Sequence, residues 1–575
     1  MENRVIADML DEIAAMLSIE ETKTTRFEVR AYKNAALTLM SIQEPIENVY
    51  RRGGVKAIME FPGIGPGIAG KIEEFIRTGH MKKYDELKRR YPIDFKGLLS
   101  LEGMGAKKAV TLYKRLGIRN LQDLKGAIDS HRISSIEGFG SKSEEMFSKS
   151  MRIRESSKGR ILLGVGLPAA EAIVRALQES GTVSKAVIAG STRRMKETVG
   201  DLDILAISKT PEKAMDVFTS MKDVTGVVSR GSTRSTVSLN IGVTCDLRVL
   251  PQESFGAALQ YFIGNKQHNI ETRTIAIKKG YKLNEYGLFT RDGRMIASDD
   301  ERDIYAKLGM QYVPPEMREA RGEIQLALHH KIPTLVEMSD LKGDLHTHTR
   351  ETDGANTIEE MADAAQKTGF SYIATTNHTQ SLRIAKGMSD RQFAAFDKKV
   401  DRLNDSLKGF RVLKGAECDI LKDGSLDLSK ETLRSMECVV GSVHASFRMP
   451  EREMTDRVVK AIGSGLIHIL GHPTGRLINE REGFAMDLGR VAQACEDNGV
   501  ALEINSWPNR LDLNDTNILL ASKYKVRFSI NSDAHSTAHY QMLRYGVGTA
   551  RRGWLTPDRV LNTLPTDRLL KAIKR

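Results

Sequence analysis

Six histidines and three carboxylates lie in short motifs in the C-terminal part of the chain, and side chains of these types bind metal ions. Two of the motifs are His346-Thr-His348 and Ser532-Asp533-Ala-His535. The candidate ligands are His346, His348, Asp353, His378, Glu417, His444, His472, Asp533 and His535. Because nine nitrogen and oxygen ligands are more than one ion needs, the set predicts two or three metal ions.

Several of these ligands follow directly on a β-branched or apolar run, such as 372–376, 465–470 or 527–531. They are therefore expected at the strand ends of a barrel-like array of alternating strands and helices. Two metal ions about 3.5–4 Å apart can stabilise both the attacking and the leaving oxygen of a phosphoester, and a metal-bound water loses its proton near neutral pH. The pattern predicts phosphoester hydrolysis. A barrel that keeps its metals for structure alone is the alternative.

A second group of carboxylates lies in the middle of the chain. The run 185–191 reads as a strand that enters a glycine turn, and Gly200-Asp201-Leu-Asp203 begins another strand. Alternation along that strand puts Asp201 and Asp203 on one face. The strand 243–250 offers Asp246 as a third carboxylate. Three neighbouring carboxylates need cations, and Mg²⁺ bound by carboxylates and substrate phosphates is the usual solution in polymerases.

The first 150 residues repeat an apolar-x-Gly-apolar-Gly pattern, and a helical pattern follows each copy. The copies are Phe61-Pro-Gly63-Ile-Gly65, Leu101-Glu-Gly103-Met-Gly105 and Ile136-Glu-Gly138-Phe-Gly140. Two glycines around one apolar residue suit a tight turn between helices, where free N–H groups at the second helix can bind a phosphate. This is the helix-hairpin-helix pattern, and it predicts sequence-independent DNA binding by at least two copies; the third copy could be structural.

Composition is compatible with several domains in one chain of 575 residues. The net charge of +12 is spread evenly along the chain, so it permits a polyanionic partner without locating one. Four cysteines without a CxxC pair indicate a reducing compartment. There is neither a signal sequence nor an apolar run of membrane-spanning length, so we expect a cytoplasmic, nucleoid-associated protein without a membrane partner.

The order of the C-terminal motifs resembles that of the PHP (polymerase and histidinol phosphatase) family over residues 340–575. The resemblance implies a distorted βα barrel with three metals. His346, His348, Glu417 and Asp533 would surround the first ion, and Glu417, His444 and His472 the second. Asp353, His378 and His535 would hold the third. The family usually has aspartate where this chain has Asn377, and we expect this change to tune the site without loss of metal.

The remainder of the chain, from residue 1 to about 315, resembles the family X DNA polymerases. The resemblance rests on the stretches 30–36, 61–65, 190–194, 200–203, 246–248, 254–262 and 282–287, together with Asn269 and Arg273. Together the two resemblances cover nearly the whole chain, in the manner of bacterial and archaeal family X polymerases with a PHP domain. They imply that Asp201 and Asp203 hold both Mg²⁺ ions, and that Asp246 binds the catalytic ion. The implied nucleotide-binding residues are Gly190, Ser191, Arg194, Gly200, Tyr261, Phe262, Gly264, Asn269 and Arg273.

Two departures from family X are visible in the sequence. Relatives often read Tyr-Phe-Thr-Gly-Ser where this chain has Tyr261-Phe-Ile263-Gly-Asn265, which leaves the discrimination between deoxyribose and ribose open. DNA polymerase beta has arginine two residues before its third aspartate, and Thr244 stands there. Lys71 aligns with the Schiff-base lysine of beta-like lyases; the alternative is that it only binds phosphate.

The implied layout is a multidomain protein with a mixed α/β nucleotidyltransferase palm at its centre. The predicted segments are a lyase-like helical domain at 1–80, a fingers-like helix-hairpin-helix domain at 81–150, the palm at 151–250, a thumb-like domain at 251–315, a linker at 316–339 and the PHP barrel at 340–575. We expect a monomeric DNA repair polymerase that fills short gaps with dNTPs, uses Mg²⁺ or Mn²⁺ at the palm, and processes 3′ ends with Mn²⁺ or Zn²⁺ at the barrel. The barrel could act as an exonuclease, a 3′-phosphatase or an abasic-site endonuclease. The alternative is a DNA-binding scaffold with an inactive palm and a barrel that hydrolyses small phosphoesters.

Overall fold

The computed structural model describes residues 3–19, 22–41, 45–61, 63–99, 101, 103–156 and 159–574. Within these ranges the N-terminal part of the chain is helical, and its helices share one hydrophobic cluster that runs from Ile6 to Phe147. The helices are α1 (Asn3–Leu17), α2 (Lys23–Ser41), α3 (Ile46–Met59), α4 (Pro66–Thr78), α5 (Lys82–Arg90), α6 (Phe95–Leu99), α7 (Ala106–Leu116), α8 (Leu121–Asp129) and α9 (Ser141–Ser156).

The three glycine motifs form the same turn in each case. The first glycine takes a left-handed φ of 79° at Gly63, 75° at Gly103 and 86° at Gly138, which an L side chain rarely adopts. The apolar residue between the glycines is buried at Ile64, Met104 and Phe139, while the glycines on either side, Gly63, Gly65, Gly103, Gly105, Gly138 and Gly140, are exposed. The buried apolar residue thus anchors a turn whose backbone faces outward, which is the predicted helix-hairpin-helix arrangement.

The palm is a five-stranded sheet with the strand order β2-β4-β7-β6-β5, in which only β4 and β7 run parallel. Helices α10 and α12 pack against it around a core that contains Leu202, Ile204 and Leu247. Its elements are β1 (Ile161–Leu162), α10 (Leu163–Glu179), β2 (Lys185–Ile188), α11 (Gly190–Arg193), β3 (Thr198–Val199), β4 (Asp201–Ile207), α12 (Pro211–Thr219), β5 (Val224–Arg230), β6 (Arg234–Leu239) and β7 (Thr244–Val249).

The thumb-like region combines helices with a three-stranded antiparallel sheet. Its elements are α13 (Phe255–Ile263), α14 (Lys266–Lys278), β8 (Tyr281–Asn284), β9 (Gly287–Thr290), β10 (Met295–Ala297), α15 (Glu301–Lys307) and α16 (Glu323–Leu328). Its hydrophobic cluster continues beyond residue 315 through Met317, Ile324 and Leu335. The stretch 316–339, predicted as a linker, therefore includes a helix that packs on the thumb, while the predicted boundaries stay predictions.

The C-terminal region is a nearly closed barrel of seven parallel strands in chain order. The first and last strands meet where the backbone N–H of His348 donates to the carbonyl oxygen of Ala534 over 2.7 Å. The elements are β11 (Gly343–Thr347), α17 (Ile358–Lys367), β12 (Tyr372–Thr375), α18 (Asp390–Ser406), β13 (Arg411–Asp419), α19 (Lys430–Ser435), β14 (Cys438–Ser442), α20 (Glu451–Ile462), β15 (Ile469–Leu470), α21 (Leu488–Asn498), β16 (Ala501–Asn505), α22 (Asp515–Ala521), β17 (Phe528–Asn531), α23 (Leu543–Arg552) and α24 (Thr566–Ile573). The predicted distorted βα barrel is confirmed.

The barrel packs directly against the palm. Ile478, Leu511 and Tyr545 of the barrel belong to the hydrophobic cluster of the palm. Ion pairs border this contact, including Arg476 with Glu197 at 2.7 Å. Shared burial of this kind holds the two regions together more firmly than a linker alone would. Among the described helices, none has a stretch long and apolar enough to cross a bilayer.

Candidate active sites

Three carboxylates meet at one edge of the palm sheet. On the parallel neighbours β4 and β7, Asp203 lies directly opposite Asp246, and Asp201 lies opposite Thr244. Asp201 and Asp203 are two residues apart on β4, so their side chains emerge on one face. Burial, together with repulsion from Asp201 and Asp246, raises the pKa of Asp203 to about 6. Carboxylates that repel one another in this way favour a bound divalent cation.

Asp246 is oriented by the neighbouring strand β6. Its carboxylate accepts a hydrogen bond from Thr236 Oγ1 at 2.5 Å and one from Arg234 Nη2 at 3.0 Å. Arg248 Nη2 lies 3.6 Å from the same carboxylate. In DNA polymerase beta an arginine stands at the position of Thr244. Here Arg234 and Arg248 provide the positive charge beside Asp246 instead. Sequence reasoning missed both arginines, although the pairing of β6 with β7 places Thr236 opposite Asp246.

The glycine turn after β2 lies against the carboxylates. Gly190 begins α11 with a φ of 60°, and a Cβ atom there would lie 2.0 Å from Oδ2 of Asp203. The hydroxyl oxygen of Ser191 is buried and has no hydrogen-bond partner within the described part of the chain. Gly200 directly precedes Asp201. A buried hydroxyl without a partner is costly, and a phosphate oxygen is a suitable acceptor for it.

Arg194 links this turn to the start of the thumb. Its Nη1 atom donates to the carbonyl oxygen of Ile263, next to Gly264, whose φ is 72°. The rings of Tyr261 and Phe262 stand edge to face with their centroids 5.0 Å apart. The structure thus brings Gly190, Ser191, Arg194 and Gly264 close to the aspartates.

Asn269 and Arg273 both make hydrogen bonds within the protein, and Asn269 is less accessible than the resemblance implied. Asn269 is buried; its Nδ2 atom donates to the carbonyl oxygen of Tyr261 over 2.6 Å, and its Oδ1 atom accepts from Gln260 over 3.0 Å. Arg273 donates through Nε to the carbonyl oxygen of Asn269 over 3.2 Å. Contact of either side chain with the nascent base pair stays a prediction.

Lys71 lies on α4, after the first glycine turn. Its ammonium group donates to the carbonyl oxygen of Gly67 over 2.9 Å and lies 5.8 Å from the ring centroid of Tyr32. Lys71, Tyr32 and Gly65 line a cleft that also touches Arg350 of the barrel. The lysine can therefore be reached by a ligand in this cleft.

In the barrel, Glu417 on β13 lies at the centre of the ligand set. Its Oε2 atom is 3.5 Å from His346 Nε2 and 3.7 Å from His348 Nε2. Its Oε1 atom is 3.2 Å from His444 Nε2 and 2.9 Å from His472 Nε2. One carboxylate therefore faces imidazoles from both sides, with a different oxygen atom toward each pair of histidines.

Asp533 and Asp353 complete the cluster. Oδ1 of Asp533 lies 3.1 Å from His348 Nε2, and Oδ2 of Asp353 lies 3.3 Å from His378 Nε2 and 3.4 Å from His535 Nε2. Three groups have ligand atoms within 4.8 Å of one another: His348, Asp353, His378 and His535; His346, His348 and Asp533; and His378, Glu417 and His444. All nine predicted ligands thus come together in a site for more than one metal.

The chemistry of the donor atoms fits divalent cations. Within the described residues, the buried atoms without a hydrogen-bond partner include Nε2 of His346, both ring nitrogens of His348, Nδ1 of His472 and Oδ1 of Asp353. Buried polar atoms are normally satisfied, so several of them in one place need a partner. Nitrogen and carboxylate donors are suited to ions such as Zn²⁺ and Mn²⁺.

A second layer of carboxylates orients the histidines. Glu503 on β16 is fully buried and lies 2.7 Å from Nδ1 of His346. Asp419 lies 2.5 Å from Nδ1 of His444. These contacts direct the Nε2 atoms toward Glu417 and fix the ring orientation, as outer carboxylates do in metal sites. Sequence reasoning missed both, although a glutamate inside the apolar strand 501–505 is a usable signal.

Asn377 has a definable role in the same outer layer. Its Oδ1 atom accepts hydrogen bonds from the backbone N–H of Thr349 at 2.8 Å, from Thr349 Oγ1 at 3.0 Å and from Thr352 Oγ1 at 3.1 Å. Asn377 therefore holds the loop that carries Asp353. Only the oxygen atom of the Asn377 amide accepts these hydrogen bonds. Asparagine can therefore hold the loop in place of the aspartate that the PHP family usually has at this position.

The electrostatic balance of the cluster also favours cations. Burial would raise the pKa of Glu417, but His444, His378 and His346 hold the pKa well below its ordinary value. Burial would lower the pKa of His378, but Glu417 and Asp353 raise the pKa to about 10. The carboxylates thus attract positive charge, and divalent cations can supply it once the imidazoles have lost their protons.

Comparison with known proteins divides the chain in the same way. Family models match a helix-hairpin-helix domain at 1–81, a SAM-like helix-hairpin-helix tandem at 95–146, the DNA polymerase beta thumb at 258–319 and a PHP domain at 344–507. Each match falls on a region whose fold has the corresponding architecture.

Similar proteins agree with these matches. The chain is 34% identical to the DNA polymerase/3′-5′ exonuclease PolX of Bacillus subtilis over 565 residues, which cover 98% of this chain and 97% of that protein. It is 27% identical to a probable phosphatase of Thermoanaerobacter sp. over 38% of this chain and 89% of that protein. It is also 23% identical to DNA polymerase lambda of Rattus norvegicus over 55% of this chain and 56% of that protein.

The long match extends from the helix-hairpin-helix turns, through the palm carboxylates, to the histidine cluster of the barrel. The polymerase and PHP regions therefore occur together in one chain, and the Bacillus protein is likewise named as both a polymerase and an exonuclease. The chain belongs to the family X DNA polymerases that carry a C-terminal PHP domain.

Proposed function

We propose that this protein fills short gaps in DNA at its palm and hydrolyses DNA 3′ ends at its barrel. The observation that carries the polymerase half is the register of β4 and β7, which sets Asp203 opposite Asp246 beside Ser191 and Arg194. Paired carboxylates next to a phosphate-binding turn suit nucleotidyl transfer to a primer 3′-hydroxyl. The whole-length similarity to a polymerase/exonuclease supports the combination.

At the palm, Asp201, Asp203 and Asp246 would hold Mg²⁺ or Mn²⁺. When bound, these cations would neutralise the triphosphate and favour deprotonation of the 3′-hydroxyl. Ser191 and Arg194 would bind the triphosphate, since one offers an unused hydroxyl and the other a guanidinium. Tyr261, Phe262 and Gly264 would line the sugar pocket, with Gly190 and Gly200 shaping the turn. Arg234 and Arg248 would orient Asp246.

At the barrel, the nine clustered ligands would hold two or three Mn²⁺ or Zn²⁺ ions. When bound, these ions would polarise the scissile phosphoester and promote attack by water. Glu503 and Asp419 would keep His346 and His444 in the ligating orientation. The substrate we propose for this site is the recessed 3′ end of a primer, so that one chain both extends and trims the same strand.

DNA would be bound by backbone N–H groups at the helix-hairpin-helix turns. Gly63 and Gly65 form the first turn, Gly103 and Gly105 the second, and both are exposed beside the start of a helix. Such turns bind phosphates without reading sequence. Gapped or primer-template duplexes are therefore the expected ligands.

A primer-extension assay tests the proposal against the alternative of a scaffold with an inactive palm. Purified protein is given a one-nucleotide gap with Mg²⁺ or Mn²⁺, with and without dNTPs. We expect addition of the templated nucleotide when dNTPs are present and shortening of the primer when they are absent. Failure to extend under either metal, with hydrolysis of small phosphoesters retained, would favour the scaffold.

A further inference from the structure

An arginine of the barrel reaches the residue that is proposed to bind the triphosphate. Arg552, at the end of α23, donates through Nη1 to the backbone carbonyl oxygen of Arg194 over 2.7 Å. The same Nη1 atom lies 3.1 Å from Oε1 of Glu319. Glu319 is the last residue of the stretch that matches the thumb model, and its Oε1 atom also accepts from Nε of Arg194 over 2.9 Å. One carboxylate oxygen is thus shared by an arginine of the palm and an arginine of the barrel.

This contact is shielded from solvent. The Arg552 side chain is 4% exposed, and the Glu319 side chain is 11% exposed. The second guanidinium nitrogen of Arg552 lies 2.5 Å from Oδ2 of Asp515, so the barrel fixes the arginine from the other side. Charged hydrogen bonds at this degree of burial strongly restrict the orientation of the side chains that make them, because breaking one leaves a buried charge without a partner.

The cluster contains more positive than negative charge. Arg194, Arg552 and Lys196 surround Glu319, with Lys196 Nζ 3.6 Å from its Oε2 atom. Burial would raise the pKa of Glu319, but Arg552, Lys196 and Arg194 hold the pKa below its ordinary value. The carboxylate therefore stays ionised. Asp515, which pairs with Arg552 at 2.5 Å, adds a second negative charge, so three cations stand against two carboxylates and the cluster keeps a net positive charge.

The backbone of the two regions is also in close contact here. Met195 adopts a left-handed φ of 53° directly after Arg194. A Cβ atom on Gly548 of α23 would lie 2.5 Å from Cε of Met195, so the barrel helix packs closely on this loop. The carbonyl of Arg194 and the side chain of Met195 are therefore both held by α23.

We propose that Arg552 is a positioning residue of the polymerase site, which acts through Glu319 and the backbone of Arg194 to present the Arg194 guanidinium to the triphosphate of the incoming nucleotide. The inference rests on the proposed function of the palm. Without Arg552, the ionised carboxylate of Glu319 has Arg194 as its nearest arginine, and the two would pair more completely. The guanidinium would then be drawn away from the phosphates and from the carbonyl of Ile263.

The test is gap filling by the full-length protein with Arg552→Gln. We expect the KM for the nucleotide to rise about 10-fold while kcat changes less than about 2-fold, because a binding group is displaced and no reacting group is lost. Equilibrium binding of the nucleotide to enzyme on a dideoxy-terminated primer should weaken by a similar factor. Arg552→Lys keeps the positive charge but not the planar guanidinium with its paired donors, so its KM for the nucleotide should lie between those of the wild type and Arg552→Gln.

Arg551→Gln is the matched control. Arg551 is the neighbouring residue on α23 and pairs with Glu316 at 2.8 Å, but it makes no recorded contact with Arg194 or Glu319 among the described residues. Its variant should leave the KM for the nucleotide unchanged. Hydrolysis of a recessed 3′ end should be unchanged in the variants at both positions, which reports that the barrel is folded.

The outcomes separate the inference from the proposed function. If the wild type does not extend a primer, or if Arg194→Gln leaves the KM for the nucleotide unchanged, the proposed binding of the nucleotide at the palm is wrong. If Arg194→Gln raises the KM but Arg552→Gln does not, Arg552 has no positioning role. An equal loss of both activities in Arg552→Gln, with a lower Tm, would also overturn the inference unless Arg552→Lys shows the selective rise in KM for the nucleotide.

Discussion

Asp203 and Asp246 face each other across two neighbouring parallel strands, and each comes from a strand that continues into the palm core. Their spacing is thus fixed by backbone hydrogen bonds rather than by flexible loops. Repulsion between them is part of the reason why the pKa of Asp203 rises to about 6. Cations relieve this repulsion, so the pair is prepared for metal binding before substrate arrives.

Replacement of Asp246 should abolish nucleotide addition. Asp246→Ala removes a ligand to the catalytic cation and the acceptor for Arg234, and we expect gap filling to fall at least about 1000-fold, since several kcal/mol of transition-state stabilisation are lost. Asp201→Ala should reduce gap filling to a similar extent. The measurement is single-turnover extension of a one-nucleotide gap.

Asp216→Asn is a suitable control for the Asp246 variant. Asp216 also pairs with an arginine, Arg230, but it is exposed and lies on helix α12 rather than on β4 or β7. Extension by Asp216→Asn should equal that of the wild type. Hydrolysis at the barrel should persist in Asp246→Ala. Full extension by purified Asp246→Ala would remove the palm carboxylates from the proposed site.

Lys71 should form a covalent adduct with abasic DNA if it acts as a Schiff-base nucleophile. Borohydride is expected to trap wild-type protein on 5′-deoxyribose-phosphate DNA, and Lys71→Ala should lose most of the adduct because the attacking amine is absent. Lys83→Ala is the matched control, since Lys83 lines the same cleft. Equal trapping by Lys71→Ala and wild type would assign the chemistry to another amine and leave Lys71 as a phosphate-binding residue.

The convergence of the predicted metal ligands could be expected from the sequence, because most of them lie in or shortly after an apolar strand. In a parallel barrel all strands end at one rim, so ligands that are far apart in sequence, such as His346 and Asp533, must converge. The same logic applies to Asp203 and Asp246. The buried apolar residues of the glycine turns could likewise be predicted, because the motif itself specifies which residue points inward.

Residues that act through a partner on another element could not be predicted in this way. Arg234 reaches Asp246 only because β6 pairs with β7 in a particular register, and Asp419 reaches His444 across neighbouring strands. Glu319 and Arg552 meet because α23 of the barrel packs on the end of the thumb, a contact between surfaces that carry no local pattern. The pairing of strands and the packing of one region on another depend on residues far apart in the chain, and a single sequence does not reveal them.

Replacement of Asp533 should suppress hydrolysis of 3′ ends and spare gap filling. Asp533→Ala removes the carboxylate that faces His346 and His348, and hydrolysis should fall at least about 100-fold because a metal ligand is lost. His346→Ala should have a similar effect. Both residues lie in the histidine cluster of the barrel and share no ligand with the palm carboxylates, so effects on the two sites should be independent.

The measurement for Asp533→Ala is degradation of a recessed 3′ end, with gap filling assayed on the same preparation. His329→Ala serves as the control, because His329 is an exposed histidine outside the barrel cluster. A wild-type rate of degradation in Asp533→Ala would place the nuclease elsewhere. Parallel loss of polymerisation would show that the barrel supports the palm structurally.

Glu503 should control the affinity of the barrel for its metals. Its carboxylate lies 2.7 Å from Nδ1 of His346, and it accepts from the backbone N–H of His472 over 2.6 Å and from Nδ2 of Asn531 over 2.8 Å. Glu503→Gln preserves the size of the side chain but removes the charge that makes the His346 imidazole a stronger ligand. We expect metal affinity to fall about 10–100-fold, in line with changes to other groups that orient metal-binding histidines.

Titration of 3′-end hydrolysis with Mn²⁺, together with direct Mn²⁺ binding by equilibrium dialysis, distinguishes this role from catalysis. In Glu503→Gln the activity should require more Mn²⁺ and then approach the wild-type maximum, because the ligands themselves remain. Glu437→Gln is the control: Glu437 pairs with Arg411 and directly precedes β14, at the end of the barrel opposite the ligands. If excess metal did not restore Glu503→Gln, or if its Mn²⁺ affinity were unchanged, Glu503 would have to act on the reaction or on the fold rather than through His346.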